Sequence, residues 1–275
     1  MILKAVTCAC LLLANTICFA QPNCNVYKWK GDALCYKACL QSLAAIEYDQ
    51  GSAASQNHFD TAIALCPAID YAYYEKSVPY LKRADFITWN KLMDKAIALN
   101  PAYLSERGWC RYKFLRDYEG AISDIDKFGS QFTYDIGYSG DGDYHMNILK
   151  ALCYKGLGQR DKAIELIEKQ LTVKGYTPRQ YDYLHLGVLK LEINDMPGAI
   201  DALTKEIEIA DYLADTYYYL SIAYGRMNNK AECEKNIIKA KEYYMTGKKM
   251  TDPYTDHMDK VYLSDIENEM RQVSY

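Results

Sequence analysis

The residues with the clearest potential for metal chemistry lie in the stretch SGDGD, residues 139–143. Asp141 and Asp143 offer carboxylate oxygens, which are the ligands that Ca²⁺ prefers. An EF-hand loop needs further oxygen ligands and a glutamate at its twelfth position, and these two aspartates alone do not supply them. The pattern therefore favours a solvated turn over a calcium site, and Asp141 and Asp143 remain candidate contacts for a partner.

A cysteine nucleophile with a histidine base is the second chemistry to consider, and Cys66 with His58 is the pair that suggests it. Residues eight apart on one helix lie roughly 12 Å from each other, which is too far for a hydrogen bond. The sequence has no Gly-rich phosphate loop with Lys-Ser/Thr, no G-x-S-x-G elbow and no H-E-x-x-H helix. We therefore predict a protein without catalytic residues and without a cofactor.

Cysteines could also bind zinc or form disulfides. Four of them, Cys24, Cys35, Cys39 and Cys66, lie in the first quarter of the chain, whereas the four histidines are scattered. This spacing does not match a zinc site. Cys35 and Cys39 are four residues apart, so we expect each to pair with Cys24 or Cys66 rather than with the other.

The N-terminal stretch MILKAVTCACLLLANTICFA has the build of a secretory signal peptide. Lys4 is followed by an uncharged apolar run over residues 5–19, which is shorter than the roughly 20 residues that span a membrane. We predict cleavage before Gln21. Cys18 follows Ile17 rather than a small residue, which argues against lipid attachment. No later stretch is long and apolar enough to span a membrane.

Composition and charge place the rest of the chain among globular proteins. Half of the 275 residues are hydrophobic and a quarter are charged, which excludes a disordered chain. The net charge is −4, and it becomes −5 when residues 1–20, with their single lysine, are removed. Because there is no basic excess, we expect no nucleic-acid partner. Tyrosine is unusually common, with 27 Tyr against 6 Phe and 3 Trp.

A repeat with a period near 34 residues organises the chain. The segments FDTAIALCP and LMDKAIALNP end at Pro67 and Pro101, which are 34 residues apart. A column of mostly small residues recurs near the start of each second helix, with Trp89 as its one large member: Ser55, Trp89, Ala121, Ala163, Ala199 and Cys233. Four residues after each member lies an apolar one: Phe59, Met93, Ile125, Ile167, Leu203 and Ile237. Small residues let two helices approach closely, and the apolar ones form the buried stripe.

This pattern resembles the tetratricopeptide repeat (TPR), a helix–turn–helix unit. First helices support it: Tyr183, Leu186 and Gly187 match in the fifth unit, and Tyr217, Leu220, Ser221 and Tyr224 match in the sixth. The third unit holds one extra residue before its turn. The resemblance covers roughly residues 33–245 in six units, and it implies an all-α superhelix, a TPR solenoid.

The resulting domain organisation has four parts. After the signal peptide, residues 21–32 form an N-terminal extension and residues 33–250 form the repeat array. The step from Ala121 to Ala163 is 42 residues, which indicates an inserted, ordered loop near residues 128–145. Asp252 as N-cap and Pro253 in the first turn predict a long acidic capping helix over 252–272, within a C-terminal region of residues 251–275. Pro79 lies inside the first helix of the second unit, where we expect a kink.

The tyrosines divide into two groups by register. Tyr80, Tyr112, Tyr154 and Tyr224 fall at core positions of the repeat. A second set falls at positions that face the concave groove in this family: Tyr74, Lys82, Trp109, Lys155, Tyr181, Tyr218 and Arg226. Tyr, Trp and Arg dominate binding hot spots, so we predict that this set contacts a partner. The alternative is that these side chains fill space between adjacent units.

The resemblance implies a non-catalytic scaffold that binds a protein or peptide in its concave groove. The signal peptide and free cysteines are similar to those of exported repeat proteins of the Gram-negative envelope, so we expect the periplasm or the cell exterior. Two alternatives are a component of envelope assembly and a glycan-binding module, because exposed Tyr and Trp also stack on sugar rings. An enzyme would require a compact pocket with perturbed titratable groups.

Overall fold

The computed structural model describes residues 21–132 and 135–273. The predicted signal peptide lies outside these residues. The chain divides into two compact units, unit 1 up to Leu99 and unit 2 from Asn100 onward. In the described part, both units are built from helices, and none of these helices has the length and apolar character of a membrane span.

Unit 1 contains the first two repeats. Its helices are α1 (Asn25–Trp29), α2 (Ala33–Ala44), α3 (Ala53–Leu65), α4 (Asp70–Lys82) and α5 (Phe86–Leu99), with a short 3₁₀ turn at Ala45–Glu47 after α2. Helices α2 and α3 form the first repeat, and α4 and α5 form the second. Pro79 is buried inside α4, which continues past it to Lys82. Pro67 follows the end of α3, and Pro101 follows the end of α5, as the sequence predicts.

Two disulfides connect the first three helices. Cys24 pairs with Cys39, and Cys35 pairs with Cys66. The prediction that Cys35 and Cys39 pair outward rather than with each other is confirmed. In a unit with so small a hydrophobic core, these cross-links restrict the unfolded chain and so stabilise the fold. Cys110, Cys153 and Cys233 are free and buried.

Unit 2 contains the other four repeats. Its helices are α6 (Tyr103–Cys110), α7 (Tyr118–Gln131), α8 (Met146–Gly156), α9 (Arg160–Leu171), α10 (Asp182–Glu192), α11 (Met196–Ile209), α12 (Ala214–Arg226), α13 (Lys230–Met245) and α14 (Leu263–Val273). The pairs α6–α7, α8–α9, α10–α11 and α12–α13 are the repeats, and α14 packs on α13.

The extra residue predicted in the third repeat has a structural counterpart. Helix α6 continues into a π-helical turn at Arg111–Leu115, which ends at Arg116 in the left-handed conformation (φ 55°). A π turn accommodates one more residue than an α turn of the same span, and such turns are frequent at functional sites. The insertion therefore leaves the register of α7 unchanged.

Both columns of the repeat are buried in all six repeats. The small-residue column, with Trp89, is in the core, and so are the six apolar residues four positions later. At Gly187 a Cβ atom would lie 2.5 Å from the Leu203 side chain and 3.3 Å from the Ala199 carbonyl oxygen. Only glycine permits α10 and α11 to approach this closely. Of the four tyrosines predicted to be core, Tyr112 and Tyr154 are buried, while Tyr80 and Tyr224 are half-buried.

Two predicted boundaries need correction. Helix α7 extends to Gln131, so the inserted loop begins after residue 131 rather than at residue 128. The predicted helix over 252–272 is wrong in its first half, because α14 begins only at Leu263. The Asp252 side chain does accept backbone N–H bonds, from Tyr254 and Thr255 at 2.8 Å, but it closes a bend instead of starting a helix.

Candidate functional site

Residues 250–262, which we call the acidic segment, are the centre of the site. They run non-helically along the first helices of the four repeats of unit 2. We call the surface formed by α6, its π turn, α8, α10 and α12 the first-helix face. Side chains from the π turn, α8, α10 and α12 contact the segment directly. The face that the TPR resemblance assigns to ligand binding therefore carries a piece of the same chain.

Asp215 holds both ends of the acidic segment. It lies in the first turn of α12 with no exposed surface. One carboxylate oxygen accepts the N–H of Met250 and the other accepts the N–H of Val261, both at 2.8 Å. Met250 and Val261 are themselves buried in the core of unit 2. A single buried carboxylate therefore fixes the entry and the exit of the segment.

Lys113 in the π turn is the first basic group on the face. Its Nζ forms ion pairs with Asp141 of the inserted loop, at 2.7 Å, and with Asp252 of the acidic segment. The Asp141 carboxylate also accepts the Trp109 indole N–H at 3.2 Å. Burial alone lowers the pKa of Lys113, but the hydrogen bonds from its Nζ to Asp141 and Asp252 outweigh burial and raise that pKa. Lys113 is therefore a fixed positive charge between two carboxylates.

Asp259 binds the second group of basic residues. Its two carboxylate oxygens lie 2.6 Å from the Lys155 Nζ on α8 and 2.7 Å from the His185 Nδ1 on α10. Burial raises the pKa of Asp259, but the positive charge of Lys155 and the hydrogen bond with His185 outweigh it, and the net pKa is lowered. Asp259 is thus held ionised although it is buried. Its backbone is in the left-handed region, at φ 67°.

A hydrogen-bonded chain of rings lies between these two groups. The Tyr144 hydroxyl lies 2.9 Å from the His257 Nδ1 and 3.2 Å from the His185 Nε2. The ring of Tyr181, just before α10, is 5.1 Å from the His257 ring, centre to centre. Burial lowers the pKa of His185. A neutral imidazole suits a position that is next to the ammonium group of Lys155.

Two backbone oxygens of the segment are also bound by the face. The guanidinium of Arg116 donates to the Asp256 carbonyl oxygen at 2.7 Å, and the Tyr219 hydroxyl donates to the Asp259 carbonyl oxygen at 3.1 Å. The face therefore combines charge recognition of carboxylates with recognition of the backbone. That is the chemistry of a peptide-binding surface.

The same region contains a set of possible metal ligands. Oxygen and nitrogen atoms of Asp143, Asp252 and His257 lie within 4.8 Å of one another. However, Asp252 is paired with Lys113, and both ring nitrogens of His257 have hydrogen-bond partners, the Tyr144 hydroxyl and the Thr251 carbonyl. Two of the three possible ligands are therefore already engaged within the protein.

The structure brings some of the predicted groove residues together. Lys155 and Tyr181 contact the acidic segment directly, and Trp109 reaches it through Asp141 and Lys113. Tyr181 does so from the residue before α10, with φ 85°, rather than from within a first helix.

Other predicted residues lie elsewhere. Tyr218 packs against the Tyr219 ring at 5.2 Å, and it is Tyr219 that contacts the segment. Arg226 donates to the Leu191 carbonyl oxygen at the end of α10 and lines a separate cleft beside α14. Tyr74 and Lys82 belong to α4 in unit 1, where Lys82 donates to Gln50 at 2.7 Å.

Sequence reasoning missed Lys113, Arg116, His185 and Asp215. Lys113 follows Trp109 by four residues, so the two share one helical face, and this spacing was the available signal. Asp143, which was predicted with Asp141 as a loop contact, lies beside the segment in the His257 cluster.

Comparisons with known proteins support the fold. No family model and no curated protein sequence matches the chain. Among solved structures, PilW, described as a widely conserved type IV pilus biogenesis factor, superposes with a TM-score of 0.60 at 16% identity, over 87% of this chain and 99% of that one. PilF of Pseudomonas aeruginosa gives a TM-score of 0.56 at 14% identity over 80% of this chain and 94% of that one. The C-terminal part of a TPR protein of Cytophaga hutchinsonii gives a TM-score of 0.58 at 14% identity, over 78% of this chain and 80% of that one.

The buried columns of the six repeats and these structural similarities agree with the resemblance found in the sequence. The chain has the fold of the tetratricopeptide-repeat proteins.

Proposed function

We propose that this chain is a non-catalytic scaffold that binds a protein or peptide partner through the first-helix face of unit 2. The observation that carries the proposal is the acidic segment itself. Side chains of the π turn after α6 and of the first helices α8, α10 and α12 hold a non-helical stretch of polypeptide by its carboxylates and by its backbone. A face that binds one peptide in this way has the donors to bind another.

The proposed contacts on this face are Trp109, Lys155 and Tyr181 from the sequence prediction, together with Lys113 and Arg116. Trp and Tyr provide large contact areas with few rotatable bonds, and Arg and Lys bind carboxylates and carbonyl oxygens. Tyr74 and Lys82, on the first helix of the second repeat in unit 1, are proposed as additional contacts of their own unit.

We propose the periplasm or the cell exterior as the site of action. Two features support it: the predicted signal peptide, and the two disulfides of unit 1, Cys24–Cys39 and Cys35–Cys66. Disulfides form and persist in oxidising compartments and are rare in a reducing cytosol. A role in envelope assembly is a second candidate, in keeping with the fold similarity to a type IV pilus biogenesis factor.

Cross-linking of the mature protein in its native envelope, followed by mass spectrometry, tests the proposal. We expect a protein adduct with the wild type that is lost in Arg116→Asn. Asparagine tolerates the left-handed backbone at this position, so the fold should persist. Arg160→Gln, at an exposed arginine of α9, is the matched control and should keep the adduct. Binding to soluble oligosaccharides without any protein adduct would instead favour the glycan-binding alternative.

A further inference from the structure

We propose that the partner of the first-helix face presents an acidic segment, and that residues 250–262 of this chain are a built-in competitor which that partner displaces. The inference rests on the proposed function, because it assigns the chemistry of the partner to the same face. It adds that the site is occupied in cis and that partner binding is therefore in competition with the chain's own segment.

The charges on the face determine the kind of partner. Lys113 and Arg116 come from the third repeat, Lys155 from the fourth and His185 from the fifth. These groups form a row of cationic and hydrogen-bonding side chains on a chain whose net charge is negative. Where they contact the acidic segment, they contact carboxylates at Asp252 and Asp259 and the carbonyl oxygen of Asp256. A ligand for this row must offer carboxylates at comparable spacing.

The acidic segment is placed so that a partner can reach it. Its two ends are buried at Met250 and Val261, but the middle is open to solvent, with the Tyr254 side chain 61% exposed. Asp256 and Pro253 are also exposed. A partner can therefore replace contacts from the middle of the segment outward, before the buried ends detach.

Tethering sets the strength of the competition. A segment joined to its own binding face has an effective concentration in the millimolar range, so it reduces the apparent affinity for any peptide that arrives from outside. The apparent affinity equals the intrinsic affinity multiplied by the fraction of molecules in which the face is free. Weakening the segment in cis must therefore strengthen binding in trans, whereas weakening the face must reduce both.

This opposite response defines the test. The probe is a fluorescein-labelled synthetic peptide with the sequence of residues 248–262, KKMTDPYTDHMDKVY. It is titrated by fluorescence anisotropy against the full mature chain, as the wild type and as Asp252→Asn with Asp259→Asn. We expect the double variant to bind the peptide at least about ten-fold more tightly, because each aspartate removed in cis loses a charge-assisted hydrogen bond while the probe keeps its own.

Three further measurements complete the design. Adding Arg116→Asn to the double variant should weaken its binding of the peptide again. A second peptide, with asparagine in place of all its aspartates, should bind the double variant at least about ten-fold more weakly than the original peptide does. Asp259 is buried, so the double variant could melt at a lower temperature than the wild type. In that case Asp252→Asn alone is the second variant, and it should also bind the peptide more tightly than the wild type does.

The inference would be overturned if the peptide bound the wild type and a folded variant with equal affinity, or if it bound neither detectably. The segment would then be a fixed part of the fold. Equal binding of the asparagine peptide would overturn its acidic specificity. In either case a protein adduct that depends on Arg116 in the envelope would leave the proposed function standing, with the partner bound beside the segment.

Discussion

Asp215 offers the sharpest perturbation of the site, because one carboxylate accepts two backbone N–H groups that bracket the acidic segment. In Asp215→Ala the N–H groups of Met250 and Val261 lose their acceptor inside the core. An unpaired buried donor costs about 1–3 kcal/mol, so two cost about 2–6 kcal/mol if the segment stays in place. The segment has an alternative, since detachment would return both N–H groups to water. The cost is therefore limited to the free energy that holds the segment on the face.

We expect Asp215→Ala to free the acidic segment without unfolding unit 2. Lowering the free energy of local opening by about 3 kcal/mol corresponds to roughly 100-fold faster amide exchange. Hydrogen exchange followed by mass spectrometry would show this acceleration in peptides that cover residues 248–262, while peptides from α8 to α10 keep their protection.

The matched control is Asp211→Ala, an exposed aspartate four residues earlier in the same region. Its carbonyl oxygen accepts the Tyr217 hydroxyl, but its side chain plays no part in that bond. Unchanged exchange of residues 248–262 in Asp215→Ala would refute the argument that this carboxylate holds the segment. Equal acceleration throughout unit 2 would show that Asp215 supports the whole unit instead.

Three predictions concern the stability of the two units. Gly187→Ala should destabilise unit 2 by about 1–3 kcal/mol in denaturant unfolding, because the added Cβ would lie 2.5 Å from Leu203. Cys35→Ser with Cys66→Ser should lower the free energy of unfolding by about 4 kcal/mol, because the disulfide closes a 31-residue loop. Burial raises the pKa of Glu206 to about 7 from an ordinary 4.5, although backbone N–H donors oppose the shift. The folded chain then retains a proton that the unfolded chain loses above pH 4.5, so stability falls as the pH rises from 4.5 to 7. Relative to Glu206→Gln, the wild type should gain up to about 1.4 kcal/mol per pH unit on acidification through this window.

Two of these predictions have a matched control within the same fold. Gly129→Ala on α7 meets only one atom, at 3.6 Å, and should be neutral or slightly stabilising. Glu208→Gln, at an exposed glutamate of the same helix, is the matched control for Glu206→Gln. The packing argument would be contradicted if Gly187→Ala were as stable as Gly129→Ala. The disulfide argument would be contradicted if Cys35→Ser with Cys66→Ser unfolded with the free energy of the wild type. Parallel curves of stability against pH for the two glutamate variants would contradict the argument from Glu206.

The repeats were predictable because their signal is local and repeated. The column at Ala121, Ala163 and Ala199 and the apolar residues four positions later specify how two neighbouring helices pack, and the same requirement recurs in every unit. The π turn after α6 was visible only as a register problem, since one extra residue can be absorbed in several ways. Its consequence, the placement of Lys113 and Arg116 at the face, depends on the three-dimensional course of that turn.

The acidic segment was not predictable from its own residues. Asp252 followed by Pro253 is a good local signal for a helix start. The interactions that override it come from residues far away in sequence, from Lys113 to Asp252 and from Asp215 to Met250 and Val261. Long-range pairing of this kind leaves no periodic trace. For the same reason, register placed Lys155 on the first-helix face but gave no indication that Asp259 would be its partner.

Site-specific photo-cross-linking in cells that produce the protein tests the central claim most directly. A photoreactive residue replaces Phe114, a half-buried residue of the π turn whose ring faces that of Tyr254, so that Lys113 and Arg116 stay in place. In a second protein it replaces Ile238, an exposed residue of α13. Adducts are identified by mass spectrometry. A scaffold that uses the first-helix face should give one protein adduct at position 114 and none at position 238. The same adducts at both positions, or no protein adduct at position 114, would contradict the assignment of this face as the partner-binding surface.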